Sequence, residues 1–200
     1  QMNLTEEEKE IAEIIPENCV VVITEAGNIK RIPATSYRTQ KRNGKGIKNQ
    51  DEIVREVIKT NTIDNLMVFS TFGKVYRLAV NDIPVGTNAT RGTSIETLVA
   101  MDAGEKFVTL ASVDRTANNN QYVWFITKNG IIKKTRADNF GFKNSIISIN
   151  LRPDDELVSV IAVKKNIDII AYSKMGFGLR FNTSEIPSSK RMAIGVIAFT

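Results

Sequence analysis

Four copies of one short pattern run through this chain, and a period of that kind restricts the fold more than any single residue does. Each copy is an apolar run ending in Thr or Ser, a tight turn with a glycine, and a second run carrying a basic residue. The turn glycines are Gly27, Gly73, Gly130 and Gly176, separated by 46, 57 and 46 residues. The long interval contains Asp114-Arg115-Thr116-Ala117-Asn118-Asn119-Asn120-Gln121, which reads as a loop insertion. Self-similarity at this period, with two or more strands per copy, signals stacked or radially arranged β-units.

Positions counted from each turn glycine give the pattern its content. Six to four residues before it lie Val21-Val22-Ile23, Met67-Val68-Phe69, Trp124-Phe125-Ile126 and Ile170-Ala171-Tyr172. Such short runs, rich in branched and aromatic residues, read as strands buried on both faces. Thr24, Ser70, Thr127 and Ser173 follow, three before the glycine, and the glycine supplies the positive φ that a hairpin turn needs. Five after it come Ile32, Leu78, Thr135 and Phe181, and ten after it Tyr37, Ile83, Phe140 and Ile186. Four after it the residue is always basic: Arg31, Arg77, Lys134, Arg180. Strand side chains alternate between faces, so with position five in the core, position four is expected to face out. Edge protection against aggregation accounts for one or two such charges, and less well for the same position in every copy. A repeated outward cation suggests a binding surface.

A second glycine recurs nineteen residues after the first, at Gly46, Gly92 and Gly195, each within a basic loop. The third copy has Ile149 there, with Lys143-Asn144-Ser145 just before it.

Composition limits the chemistry. The chain has no histidine and one cysteine, Cys19, so the usual zinc sites and a His-dependent nucleophilic triad are out of reach. Cys19 cannot form an internal disulfide and is expected to pack as a small apolar residue, which fits a cytosolic protein. Asp154-Asp155-Glu156 reads as a solvated turn before the strand at Leu157 rather than as a cation site. Neither a Walker motif nor a dinucleotide fingerprint is present, no run approaches a membrane span, and the acidic N-terminus has no signal-peptide layout. No catalytic residues, metal ligands or cofactor are expected in this chain. The net charge of +5 hides a division: residues 1–18 carry six glutamates against Lys9, leaving the other 182 residues at +10. Thr5 with Glu8 makes a capping box, and Pro16 ends the pattern, so residues 1–18 read as an acidic linker or short helix. Residues 19–200 read as one β-domain.

A regularly spaced basic surface suits a polyanion of regular charge spacing, and duplex DNA leads. There is no evident recognition helix, so contact is expected with phosphates and largely without regard to base sequence. DNA following a curved basic perimeter must bend, at a cost on the order of 1–6 kcal/mol for 20–30 base pairs, which many phosphate contacts must offset.

The loop Gln40-Lys41-Arg42-Asn43-Gly44-Lys45-Gly46 is similar to the gyrase A box, matching six of seven positions in type, with Asn43 in place of its first glycine. Ile29-Lys30-Arg31-Ile32-Pro33, Gly73-Lys74-Val75-Tyr76-Arg77, Asn129 to Thr135 and Ile149 to Leu157 carry the same likeness. Residues 19–200 thus resemble the C-terminal domain of the A subunit of bacterial DNA gyrase and topoisomerase IV. The resemblance implies an all-β fold, a β-pinwheel: a propeller-like array of four-stranded blades that exchange strands, of which about four are visible here. The family domain commonly has six, so the chain is expected to be either truncated at its C-terminus or a short member. The resemblance further implies DNA wrapping about a basic rim in support of negative supercoiling, with the cleavage and ATPase centres, and their ATP and Mg, elsewhere in the holoenzyme. The implied partners are the ATPase B subunit together with the remainder of the A subunit, in a heterotetramer in the bacterial cytoplasm. The expected DNA contacts are Gln40, Lys41, Arg42, Asn43, Gly44, Lys45 and Gly46 in the box-like loop. On the rim they are Arg31, Lys48, Arg77, Arg91, Lys133, Lys134, Arg180, Lys190 and Arg191. Topoisomerase IV, where the domain would guide substrate or crossing choice, and a propeller-like protein-interaction scaffold are the alternatives.

Overall fold

The computed structural model describes residues 14–36, 53–112, 120–141 and 144–198. The expected acidic helix falls almost wholly outside the described residues, as do the box-like loop and Lys48. The chain divides into two compact units, residues 1–65 with 78–101 and residues 66–77 with 102–200.

The β reading holds. The strands are β1 (Asn18–Thr24), β2 (Asn28–Pro33), β3 (Val54–Asn61), β4 (Asn65–Ser70), β5 (Lys74–Ala79), β6 (Thr93–Ser94) and β7 (Phe107–Ala111). They continue with β8 (Tyr122–Thr127), β9 (Ile131–Arg136), β10 (Ser145–Ile147), β11 (Leu157–Val163), β12 (Asp168–Tyr172), β13 (Gly178–Asn182) and β14 (Val196–Ile197). One helical turn, α1 (Ile95–Leu98), and three 3-10 turns complete the described elements. Three sheets have four strands, in the orders β3-β1-β2-β6, β10-β5-β4-β7 and β11-β8-β9-β14, and the fourth copy forms the hairpin β12-β13.

Each turn is built as its sequence requires. Gly27, Gly73, Gly130 and Gly176 have φ between 72° and 86°. Each donates its amide to the carbonyl of the Thr or Ser three residues earlier, at 3.0–3.1 Å. In three copies the hydroxyl of that Thr or Ser accepts the amide that follows the glycine: Asn28 to Thr24 at 3.2 Å, Ile131 to Thr127 at 3.2 Å, Phe177 to Ser173 at 3.1 Å. The hydroxyl therefore replaces a ladder partner where the hairpin reverses. Opposite Thr24, Ser70 and Thr127 the outer strand carries a β-bulge, which increases the local twist.

Each returning strand is completed by the copy that follows. β6 pairs with β2, β10 with β5, and β14 with β9, all antiparallel. Among the described residues no single copy fills a four-stranded sheet, so the strand at each seam belongs to its neighbour. The larger unit is built around Met67, Phe69, Val75, Val123, Phe125, Phe140, Leu157 and Val160. Phe69 meets Phe125 and Phe140 edge-on, with centroids 5.8 Å and 6.4 Å apart. Cys19 is buried, as expected of a small apolar residue.

Candidate nucleic-acid interface

The periodic basic residues are not where alternation places them. Position five is buried in all four copies, as expected. Position four is buried as well in two: Arg31 and Lys134 are each 9% exposed. These side chains instead bind backbone carbonyls of the next copy. Arg31 donates from Nε to Ile83 O at 3.3 Å and from Nη2 to Asn81 O at 3.4 Å. Lys134 donates from Nζ to Thr183 O at 2.8 Å and to Ile186 O at 3.3 Å. Ile83 and Ile186 both stand ten residues after the next turn glycine, so the two contacts are one contact repeated. Lys134 also lies 4.6 Å from the Tyr122 ring and 5.3 Å from that of Trp124. Burial lowers its pKa. The expectation failed because a strand covered on both faces has no outward position. Arg77 is half-buried. Arg180 is exposed and pairs with Asp168, its Nε donating at 3.0 Å.

Position three carries a second set of staples. Lys133 is 1% exposed, which bars it from direct contact with a phosphate. Its Nζ donates to Ser148 O at 2.7 Å and to Arg191 O, and lies 5.1 Å from the Phe125 ring centre. Burial, reinforced by the Arg191 charge, pulls its pKa down to about 7. Lys30, at the same position in the first copy, donates to Thr90 O at 2.7 Å and Asn88 O at 3.3 Å. Sequence reasoning missed Lys30 as a site residue, although its place in the repeat is that of Lys133.

The glycine nineteen residues after the turn has a packing role. A Cβ on Gly92 would lie 2.8 Å from Ile29 O, and one on Gly195 would lie 2.5 Å from Ile132 O and 3.0 Å from the Lys133 Cβ. Both glycines lead directly into the strands that complete the preceding copy's sheet. The third copy departs for a register reason. Asn28 and Ile131, each directly after its turn glycine, face Ser94 and Ile197, whereas Lys74, at the same place, faces Ile147. Ser94 lies twenty-one residues after its own turn glycine and Ile147 only seventeen. The third loop is thus four residues shorter, and Ser145, opposite Tyr76, stands where the other copies have glycine.

Two loops of this kind lie among the described residues. In residues 86–92, Arg91 is exposed; in residues 189–195, Lys190 is exposed, while Arg191 is half-buried and donates from Nη1 to Ile147 O. The Gln40–Gly46 loop is their counterpart in the first copy by repeat position.

Two acidic groups missed by the sequence reading organise hairpins. Glu105 is 2% exposed and accepts from Ser70 Oγ, from Tyr76 Oη at 2.6 Å and from the Asp102 amide at 2.9 Å. Burial, then the bond to Glu105, raises the Tyr76 pKa. Asp155 is buried too, accepting from Thr127 Oγ1 at 2.7 Å and from the amides of Asn129 and Glu156 at 2.9 Å each. The middle of Asp154-Asp155-Glu156 is therefore a buried cap rather than a solvated turn residue. The apolar strand behind it and the hydroxyl beside it draw it inward. Among the described residues, no group of three potential metal ligands occurs.

Known proteins share this architecture. The family model described as DNA gyrase C-terminal domain, beta-propeller, matches residues 20–53, 64–114, 121–164 and 169–200. Each matched segment contains one of the four turn glycines. The A subunit of DNA gyrase from Clostridium acetobutylicum is 37% identical over 186 residues, covering 90% of this chain and 22% of that protein. Its counterpart from Streptococcus pneumoniae serotype 4 is 32% identical, covering 90% and 23%. The chain thus spans less than a quarter of the length of these relatives. Among solved structures, a C-terminal domain of DNA topoisomerase IV matches with a TM-score of 0.78 at 25% identity, covering 92% of this chain and 57% of that one. A DNA gyrase A C-terminal domain matches with a TM-score of 0.62 at 26% identity, covering 90% and 60%. Repeat, exchanged strands and sequence together place the chain in the DNA gyrase C-terminal domain, beta-propeller, family.

Proposed function

We propose that this chain is the DNA-wrapping part of a gyrase A subunit, with no catalytic centre of its own. The observation that carries the reading is the fourfold family match coinciding with the repeat, joined to basic loops at a fixed place in the copies. DNA cleavage and ATP hydrolysis belong to the B subunit together with the rest of the A subunit, in the bacterial cytoplasm. Duplex DNA is held through phosphates, largely independently of sequence, because cations and loop amides read charge rather than base edges.

The contacts follow from exposure. Arg91 and Lys190 are outward on their loops, and the Gln40–Gly46 loop and Lys48 are assigned to the same role by repeat position. Arg77, Arg180 and Arg191 contribute at the margins of the surface. Arg31, Lys133 and Lys134 act from beneath it, since their charges are spent on carbonyls.

Replacing Lys41, Arg42 and Lys45 with Gln together tests the reading. Three lost phosphate contacts should reduce the slope of log affinity against log salt by roughly 2 to 3. An unchanged slope and unchanged affinity would remove the box-like loop from the interface. The structural likeness to a topoisomerase IV domain supports a second reading, in which the domain selects substrate or crossing. A supercoiling assay on relaxed circles with the complete enzyme separates them: net negative supercoils mean gyrase, relaxation without them means topoisomerase IV.

A further inference from the structure

Lysine three residues after the turn glycine occurs in the first and third copies, as Lys30 and Lys133. The copies that follow these two, the second and fourth, keep the glycine nineteen residues on. The second copy has Tyr76 at position three, and the third copy, which follows it, has the shortened loop without that glycine. Lysine and glycine are therefore matched across each seam.

The geometry explains the match. Continuing the pairing of β6 with β2 by one residue sets Gly92 opposite Lys30, and continuing that of β14 with β9 sets Gly195 opposite Lys133. A Cβ on Gly195 would stand 3.0 Å from the Lys133 Cβ, and one on Gly86 would stand 3.4 Å from the Cβ and Cδ of Lys30. Each lysine stem runs beneath a bare stretch of loop backbone, and its ammonium meets the carbonyls on the far side. For Lys30 these are Asn88 O and Thr90 O; for Lys133 the loop carbonyl is Arg191 O, and Ser148 O, from its own copy, is the second acceptor.

We infer that Lys30 and Lys133 are positioning residues of the DNA interface: from inside the protein, each fixes the basic loop of the following copy so that its exposed cation, Arg91 or Lys190, is aimed at a phosphate. The inference rests on the DNA-wrapping reading. The carbonyls ligated by the ammonium turn inward and hold the loop's backbone against the seam. A loop with its carbonyls drawn in holds its side chains at a fixed place, and a fixed cation loses less entropy on meeting a phosphate than a wandering one. Neither lysine can reach a phosphate itself, because both are buried.

A double-mutant cycle on Lys133 and Lys190 tests this in the full-length subunit, with a fluorescent linear duplex of mixed sequence as the probe. Lys133→Met keeps the stem and removes the ammonium; Lys190→Ala removes the exposed cation. Thermal unfolding of each variant serves as the control on folding, and Lys30→Met with Arg91→Ala supplies a second, independent cycle should Lys133→Met not fold. If the buried lysine acts through the loop, each single change weakens duplex binding about 5- to 30-fold, and the double variant is little weaker than either single one. Multiplying effects, or full affinity in a folded Lys133→Met variant, would overturn the positioning role while leaving the wrapping reading intact. Failure of the unaltered subunit to bind the duplex at low salt would overturn both.

Discussion

Lys133 should make the stability of this chain depend on pH in a window where proteins without histidine are usually insensitive. Its ammonium is buried, and its pKa is about 7 in the fold, against about 10.4 for an unfolded chain. Between those values the unfolded state binds more protons than the folded one, so stability rises with pH. Each pKa unit corresponds to about 1.36 kcal/mol. From pH 7 to pH 9 the gain is therefore about 2–3 kcal/mol, and it is lost again as pH falls back toward 7. Cys19 and Tyr76, both raised by burial, work in the opposite direction at higher pH, so the comparison must be differential. Urea unfolding of the wild type and of Lys133→Met, at half-unit steps from pH 6.5 to 9, gives the difference directly (the steps being about as fine as the transition requires). The stability difference should move in favour of the wild type by that amount across the series. Two curves that run parallel would show instead that the Lys133 ammonium is as well solvated by its carbonyls as by water.

Further outcomes test the architecture. Gly92→Ala should cost about 1–3 kcal/mol in unfolding free energy, because the new methyl group meets strand backbone that cannot yield. Gly27→Asn, at a position where nothing lies within 4 Å and only φ is restrictive, should cost about 1 kcal/mol or less by the same measurement. Glu105→Ala should lower stability by on the order of 2–4 kcal/mol, since the Ser70 and Tyr76 hydroxyls lose their buried acceptor. An undiminished midpoint in denaturant would mean that water replaces the carboxylate.

The repeat was legible because it is written in residue types that have few alternatives. A glycine at positive φ, a hydroxyl three residues before it and an apolar run ahead of that define each hairpin, and all four formed. The same alternation rule misled at Arg31 and Lys134. It assigns faces within one strand, but whether a face is open depends on what the next copy lays over it. Their partners are main-chain carbonyls, which have no signature in side-chain sequence. Lys30 escaped notice for the same reason, and so did the buried state of Asp155, which looks like any acidic turn residue until Thr127 and the Asn129 amide close around it. The third copy lacks the second glycine because its loop is shorter, which puts Ser145 in that place, and a count from the turn glycine cannot see loop length. Strand exchange between copies came from the family resemblance, since no local pattern tells a short segment such as Thr93-Ser94 which sheet it will complete. The box-like loop and the acidic N-terminal residues 1–13 lie outside the described residues.

DNA that is wrapped on this chain, and not merely bound, changes the topology of a closed circle, which can be measured directly. The protein is added in increasing amounts to closed circular DNA, strain is relaxed with a nicking-closing enzyme, the protein is removed, and the linking number is read on a gel. Wrapping around a surface of fixed hand shifts the distribution in one direction, in proportion to the protein bound. A distribution that stays centred on the relaxed value, under conditions where the DNA is fully bound, would contradict the account.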